Sequence, residues 1–163
     1  MTSTTMIQAV AATSAPSSER SVSPWWKFSF TRTAWSRTLF VVAAAPAGLV
    51  ALVDGGRLQQ RAARAWGGQD IPASRTRALL ALPVAGAALF LLGYVASLAL
   101  LNIGYPLRPL IGMPGYDRNA WGGPTYAGVW AVHGLGGGVP AALILPWLAR
   151  PFAKLQARIL GAR

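Results

Sequence analysis

The sequence has no cysteine, a single histidine and only four acidic residues among its 163 positions. Without cysteine, disulfides, thiolate nucleophiles and Cys-ligated zinc or iron–sulfur sites are excluded. The four acids are Glu19, Asp54, Asp70 and Asp117, and no two of them lie near each other in the sequence. The chain also lacks a Walker A loop, a Gly-x-Ser-x-Gly turn and a histidine pair at metal-ligand spacing. We therefore expect a protein that is not an enzyme and that needs no cofactor or metal.

Charge is scarce and mostly of one sign. Charged residues make up 12% of the chain, about half the share usual in soluble domains. Fifteen Lys and Arg residues against four acids give a net charge of +11, and the mean hydropathy is +0.41. A nucleic-acid-binding domain of this charge would be basic throughout, whereas here the basic residues separate long uncharged stretches. The pattern indicates a protein of the lipid bilayer with no nucleic-acid partner.

The first 30 residues form a region of their own. Residues 1–24 contain ten Ser or Thr and little apolar surface, so we expect them to be disordered. They have neither the basic start nor the long apolar run of a signal peptide. Aromatic and basic residues then alternate, which is typical of the lipid headgroup layer, although a nucleic-acid stacking patch is the alternative. We divide the chain into this tail with its interfacial segment, 1–30, and a transmembrane domain, 31–163.

Two long apolar segments predict membrane-spanning helices. Residues 78–101 carry no charge over 24 positions, which is about 36 Å of helix and enough to cross a 30 Å core. The second segment, 126–149, contains four glycines at 134 and 136–138 and then Pro140. We expect it to be a kinked helix, because backbone groups in a bilayer must still be hydrogen-bonded. Gly134 and Gly138 are expected to allow close packing against the 78–101 helix.

A shorter apolar segment, 39–53, has Pro46 near its centre. Its 15 residues favour a re-entrant or interfacial element over a full span. Basic residues are concentrated in the tail, in the linker after this segment and at the C-terminus, and only Arg108 and Arg118 lie in the loop 102–125. The positive-inside rule then predicts a cytoplasmic tail, linker and C-terminus in the plasma membrane. The alternative is a true span with the tail outside.

Each half of the chain ends in a basic amphipathic piece. One helical face of the first carries Arg57, Arg61 and Arg64, and one face of the second carries Arg150, Lys154 and Arg158. We expect both pieces to lie on an anionic inner leaflet. The overall prediction is an all-α membrane protein with a two-helix transmembrane hairpin, a short or re-entrant Pro-broken helix and basic amphipathic surface helices. A weak internal duplication fits this order, and chance similarity is the alternative.

Five short motifs carry a family resemblance: WSRT at 35–38, AWGGPT at 120–125, WAVH at 130–133, LPWL at 145–148 and LQAR at 155–158. On these motifs the chain resembles the sensor-domain family of actinobacterial membrane proteins, a multi-spanning module found alone or at the N-terminus of sensor histidine kinases. The resemblance implies a stand-alone integral membrane sensor without a kinase part, which passes an envelope or lipid signal to a partner kinase or regulator. The alternative is a non-catalytic structural or assembly subunit of a larger membrane complex.

The loop 102–125 and the start of the last span hold the candidate ligand or signal-sensing residues: Arg108, Arg118, Trp121, Gly122, Gly123, Pro124 and His133. Arginine and tryptophan side chains can hold an anionic or aromatic ligand. A histidine inside a span can titrate or bind a ligand. The alternatives are a loop that only caps the two helices, and a neutral histidine bonded to Tyr94 or Ser97 of the neighbouring helix.

Overall fold

The computed structural model describes residues 24–162. These residues form helices and turns without a strand, and the expected disorder of the tail concerns residues outside this range, apart from Pro24. The α-helices are α1 (Arg32–Asp54), α2 (Arg57–Ala62), α3 (Arg75–Ile103), α4 (Tyr126–Ala131) and α5 (Val139–Leu160). A π-helical turn, Ala63–Gly67, extends α2, and a second one, Val132–Gly138, joins α4 to α5. Two 3-10 helices, Trp25–Phe30 and Tyr105–Ile111, complete the fold.

Three of the helical stretches are long and apolar enough to cross a membrane. They are α1, α3 and the continuous stretch Tyr126–Leu160, with 23, 29 and 35 residues. At 1.5 Å per residue these lengths are about 34, 43 and 52 Å, against a hydrocarbon core of about 30 Å. The all-α prediction is confirmed, and the three stretches fit a multi-pass membrane protein.

The prediction of a short, Pro-broken element at 39–53 is wrong, because α1 is longer and continuous. The helix begins after Thr31, whose side chain accepts a hydrogen bond from Ala34 N over 3.2 Å, and it continues through Pro46 to Asp54. The packing around the proline explains this continuity, because Ala44, Ala45, Ala47 and Gly48 are all buried. Neighbouring helices can support a proline that removes one backbone bond. The structure therefore has one 23-residue helix that does not turn back at its centre.

α3 runs antiparallel to the last helical stretch. Near the end of α3, a Cβ added at Gly138 would lie 2.6 Å from the Ile103 side chain and 2.8 Å from its backbone nitrogen. Near the start of α3, Arg77 Nη1 donates to Leu160 O over 3.3 Å. The expected close approach of Gly138 to this helix is confirmed. At Gly134 a Cβ would find ordinary contact distances of 3.5 Å and more, so that glycine is not required for the approach.

α1 runs parallel to α5. Ser29 Oγ, just before α1, donates to Leu143 O over 2.7 Å. Further along both helices, Phe40 and Ala153 line the same cleft. If both helices cross a bilayer, they therefore cross it in the same direction, with α3 running in the opposite one.

The basic stretch at the C-terminus is not a separate surface helix. α5 continues without a break to Leu160, and it buries Ala149, Ala153 and Gln156 in the core. The same core contains Phe40 and Val41 of α1, together with buried residues of α2, α3 and the segment after α2. Of the apolar residues of this stretch, Leu148, Phe152 and Ile159 pack partly buried against that core, whereas Leu155 stays 44% exposed.

α2 also packs on the bundle while its arginines stay exposed. Asp54 begins the helix by accepting hydrogen bonds from Gly56 N over 2.8 Å and Leu58 N over 2.6 Å. The side chains of Gln59 and Ala62 are buried. Arg57, Arg61 and Arg64 are exposed, as a membrane-facing or solvent-facing basic surface requires.

Candidate functional site

Three candidate side chains are linked by a stack at the end of α3. The Arg108 guanidinium lies 4.4 Å from the centre of the Tyr105 ring, and the Tyr105 and His133 rings lie 4.8 Å apart at 36°. Tyr105 is only 4% exposed and donates from its hydroxyl to Gly115 O over 3.3 Å. A cation over an electron-rich ring is electrostatically favourable. The stack thus joins the loop after α3 to the last helical stretch.

Two hydrogen bonds to the end of α3 hold the stack in place. Arg108 Nε donates to Leu101 O over 3.1 Å, and Trp130 Nε1 donates to Ile103 O over 2.9 Å. The last carbonyls of a helix have no partner within the helix, so side chains from nearby segments commonly satisfy them. Arg108 comes from the 3-10 helix and Trp130 from α4. Both elements are therefore tied to the same helix end.

His133 has different partners from those expected. Its Nδ1 lies 2.9 Å from Val129 O, one turn earlier in its own helix, and its ring rests on Tyr105. Ser97 instead donates to Gly93 O, and Tyr94 is exposed. With Nδ1 donating to a carbonyl, the neutral ring carries its free acceptor on Nε2. His133 is therefore held in one orientation by a backbone carbonyl and an aromatic ring.

The histidine lies within the π-helical turn Val132–Gly138. π-helical turns are rare and occur mostly as single-turn bulges at functional sites. Glycine has low helix propensity and imposes no side-chain contact, so the four glycines at 134 and 136–138 weaken the normal α-helical register. Within the segment 126–149, for which a kinked helix is expected, the structure has this π-helical turn beside the stack.

The turn after Trp121 is shaped by its glycines, and Gly122 approaches the backbone of Gly128 and Val129 closely. Gly122 and Gly123 have φ of 114° and 83°, which side chains other than glycine rarely adopt. The Tyr116 hydroxyl donates to Pro124 O. Trp121 is 84% exposed, and Arg118 is exposed as well. Of the candidates, the structure brings together Arg108 and His133, and it leaves Trp121 and Arg118 at the surface.

Tyr105 was not among the candidates, although it is the central member of the stack. Its sequence signal was its position three residues before Arg108, next to Pro106, at the end of an apolar segment. The link from Tyr105 to His133 could not be read from spacing, because it depends on how α4 returns to α3.

A second cluster joins the segment before α1 to α5. Ser29 Oγ accepts from Trp147 Nε1 over 3.0 Å, and Trp35 Nε1 donates to Ser29 O over 2.8 Å. The Phe28 ring meets the Trp147 ring edge to face at 4.9 Å. The Arg150 guanidinium lies 4.6 Å from the Phe28 ring centre and 5.0 Å from that of Trp147. Part of the predicted interfacial segment is therefore packed against protein.

The fold and helix lengths define a class, namely helical proteins with several segments able to cross a bilayer. Comparison of the chain with protein-family models, with curated proteins and with solved structures finds no match. The resemblance to the sensor-domain family therefore remains a prediction from the motifs alone.

Proposed function

We propose that the protein is an integral membrane sensor-type module of the plasma membrane. In this proposal it passes an envelope or lipid signal to a partner kinase or regulator. The observation that supports it is the stack of Arg108, Tyr105 and His133, which connects the loop 102–125 to a π-helical turn. A change in the loop thereby acts directly on the least regular part of a long helix.

The π-helical turn is the element that would switch. A π-helical turn and an α-helical turn differ by one residue in hydrogen-bond register, so converting one to the other rotates and shifts everything beyond it. Here the helix beyond the turn is α5, whose end contacts the start of α3 through Arg77 and Leu160. A ligand that binds one register better than the other shifts the population by its differential affinity. The partner would detect the change at the end of α5.

In the proposed topology, α3 and the stretch Tyr126–Leu160 form a transmembrane hairpin with the loop 102–125 outside. α1 then crosses in the same direction as α5, which places the tail outside. This supports the alternative in which the first apolar segment is a true span. Cysteines at Ala73 and Ala162 are expected to label only from the cytoplasm, and a cysteine at Asn119 only from outside. A cysteine at Ser17 decides whether α1 crosses. Labelling of Ser17 from the cytoplasm would contradict this topology and favour an interfacial α1.

The sensor proposal is tested by identifying the partner and measuring its output. A photo-crosslinking residue at Ala162 captures the protein that contacts the end of α5 in the native membrane. His133→Ala is expected to keep normal membrane abundance and to abolish the output of that partner. Trp121→Ala is expected to do the same, because its exposed ring is the largest contact surface on the loop. Tyr94→Ala, an exposed aromatic outside the stack, is the matched control and is expected to retain the output.

Two results would contradict the sensor proposal. Loss of membrane abundance in both His133→Ala and Trp121→Ala would assign His133 and Trp121 a structural role. Stable co-purification with several subunits, together with full output from His133→Ala, would identify an assembly subunit instead.

A further inference from the structure

A basic cleft lies between α1, α5 and the segment after α2. Its volume is about 180 Å³, well above the roughly 15 Å³ that a single water molecule needs. Arg37 of α1 and Arg150 and Lys154 of α5 line it, together with Phe40 and Gln69. More than 110 positions of sequence separate Arg37 from the other two cations. The three cations are therefore brought together by the fold and do not form a run of basic residues in the sequence.

The three cations have no carboxylate beside them. The acids in the described part of the chain are Asp54, Asp70 and Asp117, and none of them lines the cleft. Asp54 accepts from the start of α2, Asp70 is paired with Arg64 at 2.8 Å, and Asp117 accepts from Asn119 N in the loop after α3. Three positive charges in one cleft repel each other, and the repulsion is stronger where water is partly excluded. A bound anion removes this cost.

Arg150 is held in place before any ligand arrives. Its guanidinium carbon lies 4.6 Å from the Phe28 ring centre and 5.0 Å from that of Trp147, and the side chain is half-buried. A cation–π contact uses no acceptor oxygen, so the N–H groups of the guanidinium can still form bidentate bonds to phosphate oxygens. An arginine that is already ordered loses less conformational freedom on binding than an exposed, mobile one. This distinguishes the cleft from the freely exposed arginines of α2.

Gln69 adds a hydrogen-bond acceptor to the same cleft. Its side-chain oxygen is buried and has no hydrogen-bond partner within residues 24–162. A buried acceptor of this kind is stabilised by a ligand hydroxyl group. The combination of three cations and one acceptor fits a phosphate group that carries a hydroxylated substituent.

We propose that this cleft binds the phosphate of an anionic phospholipid with a hydroxyl-bearing headgroup, such as phosphatidylglycerol. The lipid source is favoured because the cleft adjoins helices that are long and apolar enough to cross a bilayer. The site lies apart from the stack of Arg108, Tyr105 and His133. The inference therefore does not depend on the proposed sensor function.

The test uses the full-length protein in a neutral detergent, with phosphatidylglycerol titrated in and bound lipid counted by native mass spectrometry. Replacement of Arg37, Arg150 and Lys154 by Gln is compared with replacement of Arg57, Arg61 and Arg158 by Gln. Both triple variants lose three positive charges, but the second set is exposed and does not line the cleft. We expect about a 100-fold loss of affinity in the first variant, roughly fivefold per cation removed, and less than a twofold change in the second. Equal losses in both variants would overturn the proposal in favour of general surface charge.

Two further measurements separate binding from folding and lipid from soluble phosphate. Arg37→Gln removes an exposed cation of the cleft without changing the contacts of Arg150 with Phe28 and Trp147. This variant is expected to have about fivefold lower affinity for phosphatidylglycerol and an unchanged melting temperature. An unchanged affinity of this variant for phosphatidylglycerol would contradict the proposed site. Millimolar inorganic phosphate is expected to leave the bound lipid in place, and phosphatidylcholine is expected not to compete. Displacement of the lipid by inorganic phosphate would overturn the assignment to a lipid and identify a soluble phosphate ligand.

Discussion

Replacing Gln156 by leucine should stabilise the protein. Gln156 is fully buried on α5, and within residues 24–162 neither its side-chain nitrogen nor its side-chain oxygen has a hydrogen-bond partner. A buried polar group without a partner costs about 1–3 kcal/mol, and an apolar residue of similar shape avoids this cost. Its neighbours on the buried face, Ala153 and Leu160, are apolar, so a leucine at 156 extends an existing core.

The expected gain for Gln156→Leu is about 2 kcal/mol, near the middle of the cost of one unsatisfied group. For a chain of this size, 1 kcal/mol corresponds to a change of about 2–4 °C in Tm, so the variant should melt about 4–8 °C higher. Thermal unfolding is followed by far-ultraviolet circular dichroism in a single detergent at fixed concentration. Equal membrane abundance of the variant and the original chain confirms that insertion is unaffected.

Gln60→Leu is the matched control for this experiment. The Gln60 side chain donates from Nε2 to Ile71 O over 2.8 Å, so the same chemical change removes a real hydrogen bond there. It is expected to lower stability by about 1 kcal/mol. If Gln156→Leu also lowers the melting temperature, the amide of Gln156 has a partner in the folded protein and the reasoning is refuted.

Three other substitutions test local features of the fold. Asp54→Ala should lower the melting temperature in thermal denaturation, because it removes the acceptor for Gly56 N and Leu58 N, whereas Asp54→Asn, which keeps an acceptor oxygen, should lower it less. Gly122→Ala should open the loop to proteolysis, since its Cβ would clash with Gly128 O, while Gly136→Ala, with open space around it, should not. Ser29→Ala should cost about 1–3 kcal/mol, because it deletes the bonds to Leu143 and Trp147, and unchanged stability would show that the segment before α1 is not anchored there.

Much of the helical content could be predicted from the sequence. The stretches 78–101 and 126–149 lack charge over more than 20 residues, and in a bilayer such segments satisfy their backbone groups by forming helices. The exposed positions of Arg57, Arg61 and Arg64 also followed from helical spacing alone. Of the candidate site, Arg108 and His133 were chosen by residue type and place in the chain, and the structure brings both to the same stack.

α1 was misjudged because the prediction counted only uncharged residues on either side of Pro46. The helix actually starts at Arg32, so it includes charged residues that the apolar count excluded. Its continuity through the proline comes from packing. A Cβ at Gly48 would lie 2.7 Å from the Leu82 side chain, which shows how closely α1 and α3 approach. A rule based on the local sequence around a proline cannot predict this contact between two helices.

Composition and hydrophobic pattern thus determined the helical class and the positions of two long helices, because these depend on local chemistry and on the cost of placing polar backbone in an apolar medium. Only the tertiary structure decided which distant residues meet. The parallel approach of α1 and α5 brings Arg37 to Arg150 and Lys154, and the return of α4 towards α3 brings His133 to Tyr105. Such contacts depend on helix direction and register, which the pattern of one sequence leaves open, because each helix has several faces that could be buried.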